Sequence, residues 1–216
     1  RVLTEAVYDN SGNAIAATQY EYDNYTGDQA LVSRSGTIPG WTSPSSSLRG
    51  NVTKAQQWLN TSGGWPGLVT LKYYDVLGNV VKVKDPAGHD TTIDFTDNFT
   101  DTAKNASKFA YPKRVTESSG VYVDTKYDYN TGLAKETTDS ASRTTTMTYD
   151  LMNRSLQTTY PNAGFTSYSY NDTALTATKQ VKVDSSGNVG QVKTYFDGLY
   201  REIKKETSDP AGNIFV

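Results

Sequence analysis

Apolar and polar residues alternate along most of this chain with a period of two. In "SYSYND", Tyr168 and Tyr170 fall on one face and Ser167 and Ser169 on the other. In "GVYVDTKYD", Val121, Val123, Thr125 and Tyr127 share a face, and in "NVVKVKD", Val81 and Val83 alternate with Lys82 and Lys84. Successive side chains of a strand point to opposite faces, so this text predicts β-strands. No stretch sustains a helical period. The best helical candidate, "TDTAKNASKFA" at 100–110, is expected to form one or two turns. The chain therefore reads as all-β.

Turn signals punctuate the strands at two kinds of place. The first kind follows an aromatic-Asp pair. It includes Tyr8–Asp9 with Gly12, Tyr22–Asp23 with Gly27, and Tyr74–Asp75 with Gly78. Tyr127–Asp128 with Gly132, Tyr149–Asp150 with Asn153, and Phe196–Asp197 continue the series. Gly or Asn stands where a tight hairpin needs positive φ, and Asp can accept from backbone N–H groups two residues ahead. The second kind comes about ten residues later. Asp85–Pro86–Ala87–Gly88 and Asp209–Pro210–Ala211–Gly212 are type I turn sequences, and Pro161 to Gly164 ("PNAG") and "DSAS" at 139–142 resemble them. "ESSG" at 117–120 and "DSSG" at 184–187 occupy the same place.

These turns recur. Intervals of 22 residues separate Asp75 from Asp97, Asp128 from Asp150, and Asp150 from Asp172, which follows Tyr170. Each unit then holds two strands of seven to nine residues and two turns, predicting antiparallel hairpins that stack into one curved, spiralling sheet. Some 16 strands at the usual spacing would extend about 75 Å. Two pieces break the period: 33–70, rich in Gly, Pro and Ser before strand text resumes at 49–60, and 94–113. The expected organisation is repeat hairpins at 1–32, an irregular insertion plus strand at 33–70, and hairpins again at 71–216. These form one continuous repeat domain, read as a fragment of a longer protein.

Composition sharpens this. Hydrophobic residues make up 36% of the 216, with 16 Tyr, and a net charge of −2 gives no cause to expect nucleic acid. Tyr, Thr and Val suit a pleated, half-buried surface, so a thin sheet is expected rather than a thick core. With no cysteine there is no disulfide and no thiolate metal site, and no apolar run has the length of a membrane helix.

The candidate chemistry is sparse. The Tyr-Asp pairs could form an acidic, aromatic row for sugar or peptide, but the favoured reading is structural, with Tyr filling a sheet face and Asp holding a turn. His89, the only histidine, lacks a nucleophile motif or metal partner at a defined spacing. Asp94, Asp97 and Asp101 lack the order of a calcium loop. Trp41, Trp58 and Trp65 flank the irregular insertion and are the candidate ligand contacts, since exposed Trp stacks on sugar rings. No catalytic residue, metal or cofactor is expected.

The Tyr-Asp dipeptide, the x-x-Gly-Asn/Arg turn and the returning Asp-Pro-x-Gly resemble the YD-repeat, or Rhs-repeat, family. "YYDVLGNVVKVKDPAGHDTTIDFTD" at 73–97 carries the resemblance best, and it covers 1–32 and 71–216. The resemblance implies a section of a bacterial β-shell that encloses or displays a C-terminal, toxin-like cargo, secreted or at the cell surface, with no catalysis in this segment. The partners it implies are the rest of a longer chain, meaning the remaining shell and the cargo, with no nucleic acid and no membrane insertion. The alternative is an extracellular adhesive or carbohydrate-binding β-surface, with glycans or a cell-surface protein as partners. The family's self-cleaving segment is not found in the sequence, so no protease site is carried over.

Overall fold

A computed structural model describes residues 1–35, 38, 40–44, 48–58, 68–105, 108–182, 187–209, 211–212 and 214–215. Among the described residues, sixteen strands follow one another in a single antiparallel sheet whose spatial order is the sequence order. They are β1 (Thr4–Tyr8), β2 (Ala14–Tyr22), β3 (Val52–Trp58), β4 (Leu68–Tyr74), β5 (Val80–Lys84), β6 (Asp90–Asp94), β7 (Arg114–Thr116) and β8 (Tyr122–Tyr127). They continue with β9 (Ala134–Asp139), β10 (Thr144–Tyr149), β11 (Ser155–Thr159), β12 (Phe165–Asn171), β13 (Thr176–Lys182), β14 (Val189–Phe196), β15 (Glu202–Ser208) and β16 (Ile214–Phe215). The chain is all-β, as the alternation predicts. The helical candidate is one 3-10 turn, Thr102–Lys104. Many strands are shorter than seven residues, because the turn residues take more of each repeat than the sequence pattern suggested.

Contacts divide the chain into two compact units, Arg1–Asp124 and Thr125–Val216. In the first, two irregular segments bring a small core to the end of the β4–β5 hairpin. The first lies between β2 and β3, described at 23–35, 38, 40–44 and 48–51, and the second lies between β6 and β7, described at 95–105 and 108–113. Tyr73, Tyr74, Phe99 and Phe109 are buried there with Gln29, Thr53, Asp75 and Asp97. Phe99 meets Tyr111 edge to face at 6.3 Å. Gln29 donates to the carbonyls of Thr53 (3.0 Å) and Lys72 (3.1 Å), joining the first segment to β3 and β4.

In the second unit no described residue is fully buried. Most residues of β9 to β14 are half-buried, and the exposed ones of β10 and β12 alternate with half-buried neighbours, as a thin sheet predicts. This unit is held by its backbone ladders and by cross-strand side-chain pairs, such as Lys126 with Glu136 (3.1 Å) and Tyr195 with Glu206 (2.6 Å).

Candidate functional site

The repeat motif builds one turn many times. At Asp75 the N–H donates to Asn79 O (3.0 Å) and Gly78 N–H donates back to Asp75 O (3.1 Å). The carboxylate closes the loop: Oδ1 accepts from the N–H of Leu77 (2.9 Å) and Asn79 (2.8 Å), and Oδ2 from Asn79 Nδ2 (3.0 Å). Gly78 lies at φ 92°, and the ladder shifts between Tyr73 and Tyr74, so the turn is a type I turn ending in a left-handed bulge residue. Asp9, Asp85, Asp139, Asp150 and Asp197 repeat this geometry, with the fifth residue being Asn13, His89, Arg143, Arg154 and Arg201. Asp128 opens a turn one residue longer, its N–H reaching Leu133 O (2.8 Å) and Gly132 taking φ 72°. Gly12, Gly88 and Gly212 take the left-handed position of their turns, and so does Asn153 (φ 64°).

These contacts fix the electrostatics. The N–H and side chain of Asn13 hold the Asp9 carboxyl below the ordinary carboxylate range, and the His89 N–H does the same for Asp85. The guanidinium and N–H of Arg143 lower Asp139, and those of Arg201 lower Asp197. At Asp150 desolvation opposes the charge, but the Arg154 side chain and N–H outweigh it. Carboxylates held ionised in this way are poor proton donors at neutral pH.

Several tyrosines at the ends of these strands do a second job. Tyr74 OH donates to Val52 O (2.8 Å), Tyr149 OH to Ala134 O (2.9 Å) and Tyr170 OH to Ser155 O (3.0 Å). In each case the acceptor is the first residue of the preceding strand, so the ring crosses the sheet and pins the start of its neighbour. Tyr22 OH reaches Val2 O in the same sense (2.7 Å). Cations cover some of these rings and other tyrosines of the sheet: Arg154 lies 4.2 Å from the Tyr170 centroid and Lys135 5.1 Å from Tyr149, while Arg114 lies 3.9 Å from Tyr122 and Lys82 3.7 Å from Tyr73. Arg154 also pairs with Asp150 (2.7 Å) and Asp172 (2.7 Å), and these two carboxylates hold its ionisation well above the ordinary range.

The first unit departs from the motif at Tyr22–Asp23. The expected hairpin is not formed, because 23–51 intervenes and Gly27 (φ 58°) begins a 3-10 turn, Gly27–Gln29. Asp23 itself takes φ 58°, and its carboxylate gathers the returning chain, accepting from Gly50 N–H (2.9 Å), Asn51 N–H (2.9 Å), Tyr25 OH (2.9 Å) and the Arg1 guanidinium. Desolvation works against this charge, yet the N–H groups of Gly50 and Asn51 and the Tyr25 hydroxyl bring its pKa down to about 2. Burial and the Asp23 carboxylate push Tyr25 up to about 12. Nearby, Asp75 is 0% exposed and receives Arg34 from the first irregular segment (Nε 2.9 Å, Nη2 2.8 Å). Arg34 lies 5.1 Å from the Phe109 ring centroid, and Asn79 Nδ2 donates to Phe109 O (2.8 Å), so both irregular segments meet at this one turn. Val32 completes the junction with a parallel bridge, its N–H donating to Tyr74 O (3.0 Å) and its carbonyl accepting from Val76 N–H (2.9 Å).

The chain is similar over its full length to part of the crystal structure of TcdB2-TccC3-TEV, with 12% identity and a TM-score of 0.45. It is similar over 94% of its length to part of TcdB2-TccC3 without its hypervariable C-terminal region, with 11% identity and a TM-score of 0.49. Over its full length it is likewise similar to part of TcdB2-TccC3-Cdc42, with 12% identity and a TM-score of 0.42. The chain spans only 11% to 13% of the length of those chains. No family model and no curated protein matches it.

Several further residues fall away from their expected places. Asp172 does not open a turn. Asn171 holds the position after Tyr170, accepting from Ala174 N–H (2.8 Å), and Asp172 is left to pair with Arg154. Asp97 is likewise not the repeat aspartate. β6 ends at Asp94, whose Oδ1 accepts from Thr96 N–H (2.7 Å), and Asp97 is buried inside the second segment, holding Lys108 N–H (2.8 Å). Ala163, at φ 60°, and not Gly164 takes the left-handed position after Pro161, while a Cβ on Gly164 would meet Asn162 Oδ1 at 2.9 Å. After Phe196–Asp197 that position falls to Tyr200 (φ 58°).

His89 is exposed and holds Asp85 Oδ2 (3.1 Å). Asp101 accepts from Ala103 N–H (3.2 Å) as the cap of the 3-10 turn. Among the described residues, no group of three or more His, Cys, Asp or Glu could hold a metal, and no helix is long and apolar enough to cross a membrane. Trp41 is half-buried in the first irregular segment and Trp58 ends β3 beside Ala17. Trp65 and Pro210 lie outside the described residues. Nothing in the repeat pattern marks Arg34 or Gln29, whereas Asn79 closes the x-x-Gly-Asn turn. Asn79 carried a signal, since an amide in place of Arg at the fifth turn position leaves the carboxylate open to a distant cation.

Proposed function

We propose that this chain is a structural section of a bacterial Rhs/YD-repeat β-shell, secreted or at the cell surface, that encloses or displays a C-terminal, toxin-like cargo and carries no catalysis in this segment. The observation that carries this reading is how the motif's polar groups are used. The Asp carboxylates close turns on backbone N–H groups, and the Tyr hydroxyls pin neighbouring strands through backbone carbonyls. The motif is thus consumed in making wall, as a shell repeat requires. Cations already cover ring faces that an adhesive surface would offer to sugars, which favours the wall over the glycan platform. The test is limited proteolysis of the full-length protein containing this segment. The C-terminal portion is expected to resist digestion at least ten times longer than in a protein lacking residues 1–216. Equal digestion rates would overturn the enclosing role.

A further inference from the structure

The Asp9 turn is an unfilled copy of the Asp75 turn. In both, Oδ1 accepts from the third and fifth residues' N–H groups and Oδ2 from the fifth residue's Asn side chain (Asn13 Nδ2 3.1 Å, Asn79 Nδ2 3.0 Å). At Asp75 three further groups are occupied by the segment 31–34: Tyr74 O takes Val32 N–H, Val76 N–H donates to Val32 O, and Oδ2 binds Arg34. The equivalents at the Asp9 turn are Tyr8 O, Asn10 N–H and Asp9 Oδ2. Among the described residues nothing bonds Asn10 N–H, and no cation stands on Asp9. Among its sister turns of the same length, Asp139, Asp150 and Asp197 are neutralised by their own arginines (2.7 Å each), and Asp85 Oδ2 is taken by the His89 ring nitrogen (3.1 Å). Val7 and Tyr8 beside it are 57% and 62% exposed, whereas Tyr74 in the filled copy is 6% exposed.

We infer that the Tyr8–Asn13 turn docks an extended, arginine-bearing segment of a partner protein. The segment has the pattern apolar–x–Arg, forms a parallel bridge to Tyr8 and Asn10, and sets its guanidinium on Asp9. Charge complementarity selects arginine, since the congruent carboxylate takes Arg34 through two nitrogens. A second copy of this chain does not supply it. Its arginines are already engaged: Arg1 on Asp23, Arg34 on Asp75, Arg49 on Val76 O, Arg114 on Asp124, and Arg143, Arg154 and Arg201 on their own turns. This inference is independent of the proposed shell role.

The probe is an acetylated, amidated hexapeptide with the sequence of residues 30–35, ALVSRS, titrated into the isotope-labelled 216-residue chain and read by amide NMR shifts. Saturable shifts are expected at Asn10, Ser11 and Gly12. Replacing the peptide's arginine by Gln, or Asp9→Asn in the protein, is expected to weaken binding about fivefold, the scale of an exposed charge pair. Asn10→Pro keeps the turn, since Asp85–Pro86 shows the same geometry with Pro, but removes the bridging N–H. It is expected to weaken binding by a similar factor. An absence of shifts at 10–12, or unchanged affinity in Asn10→Pro and Asp9→Asn, would overturn the inference. So would a concentration-dependent dimer in sedimentation that Asn10→Pro abolishes, because that would make the occupant a second copy.

Discussion

The Asp75 and Asp197 turns share one backbone geometry and live in opposite surroundings. Asp75 is sealed under two irregular segments, its charge met by Arg34 from 41 residues away. Asp197 stands at an open tip, its charge met by Arg201 four residues on, with Leu199 and Tyr200 about 70% exposed (73% and 69%). The fifth turn residue separates the two cases. Arg makes the turn self-sufficient, whereas Asn leaves a carboxylate that tertiary structure can recruit. The same local device therefore serves as a free-standing hairpin in the second unit and as the anchor of a small core in the first.

The largest expected effect tests this asymmetry. Asp75→Ala strands Arg34 in a buried site and is expected to cost the first unit about 3–5 kcal/mol. Tryptophan fluorescence during urea unfolding reads this, because all three tryptophans lie before residue 66. Asp197→Ala, followed by hydrogen exchange across β14 and β15, should produce a much smaller change. Equal losses would break the comparison. The pair can also be removed as a pair. Arg34→Met with Asp75→Asn should return stability to within about 1 kcal/mol of the parent, since no buried charge is left uncompensated. If the double variant is as unstable as Asp75→Ala, the pair is not what holds the segments.

Asp23 and Tyr25 give the first unit a pH signature. The Asp23 pKa is depressed in the fold, to about 2 from 3.8, so its contribution is present above pH 4 and is lost as pH falls through 2. Discounted for screening through its exposed partner Arg1, the loss is about 1–2 kcal/mol. Tyr25 is raised, to about 12 from 10, so its contribution holds below pH 10 and disappears as pH rises through 12. Asp23→Asn should flatten the acid limb in tryptophan-detected melts, and an unchanged limb would remove Asp23 as its cause.

The smallest effects concern the left-handed turn position. Gly78→Ala meets no neighbouring atom, so its cost, about 1 kcal/mol, is backbone strain at φ 92°. Tyr200→Gly relieves the same strain at φ 58° and is expected to gain a few tenths of a kcal/mol. Calorimetric midpoints shifting down for the first and up for the second would show that both turns obey one rule. A loss in the second would assign Tyr200 a packing role at its tip.

The period-two alternation and the Asp-x-x-Gly spacing determined the all-β class, the antiparallel order of hairpins and most turn positions. These depend on contacts within five residues, which a sequence displays directly. Two intervals of 22 led to aspartates that do not hold turns. Asn171 replaces Asp172 and Asp94 replaces Asp97, because Asn and Asp cap equally well and spacing alone does not choose between them. Tertiary structure alone decided the fate of 23–51 and 95–113. Their apolar residues carry no strand or helix period, and they become a core only when Phe99, Phe109 and Arg34 converge on a turn distant in sequence. It also decided which carboxylate is buried. Burying a charge requires a partner, and Asp75 gains one only when the chain brings Arg34 back to it.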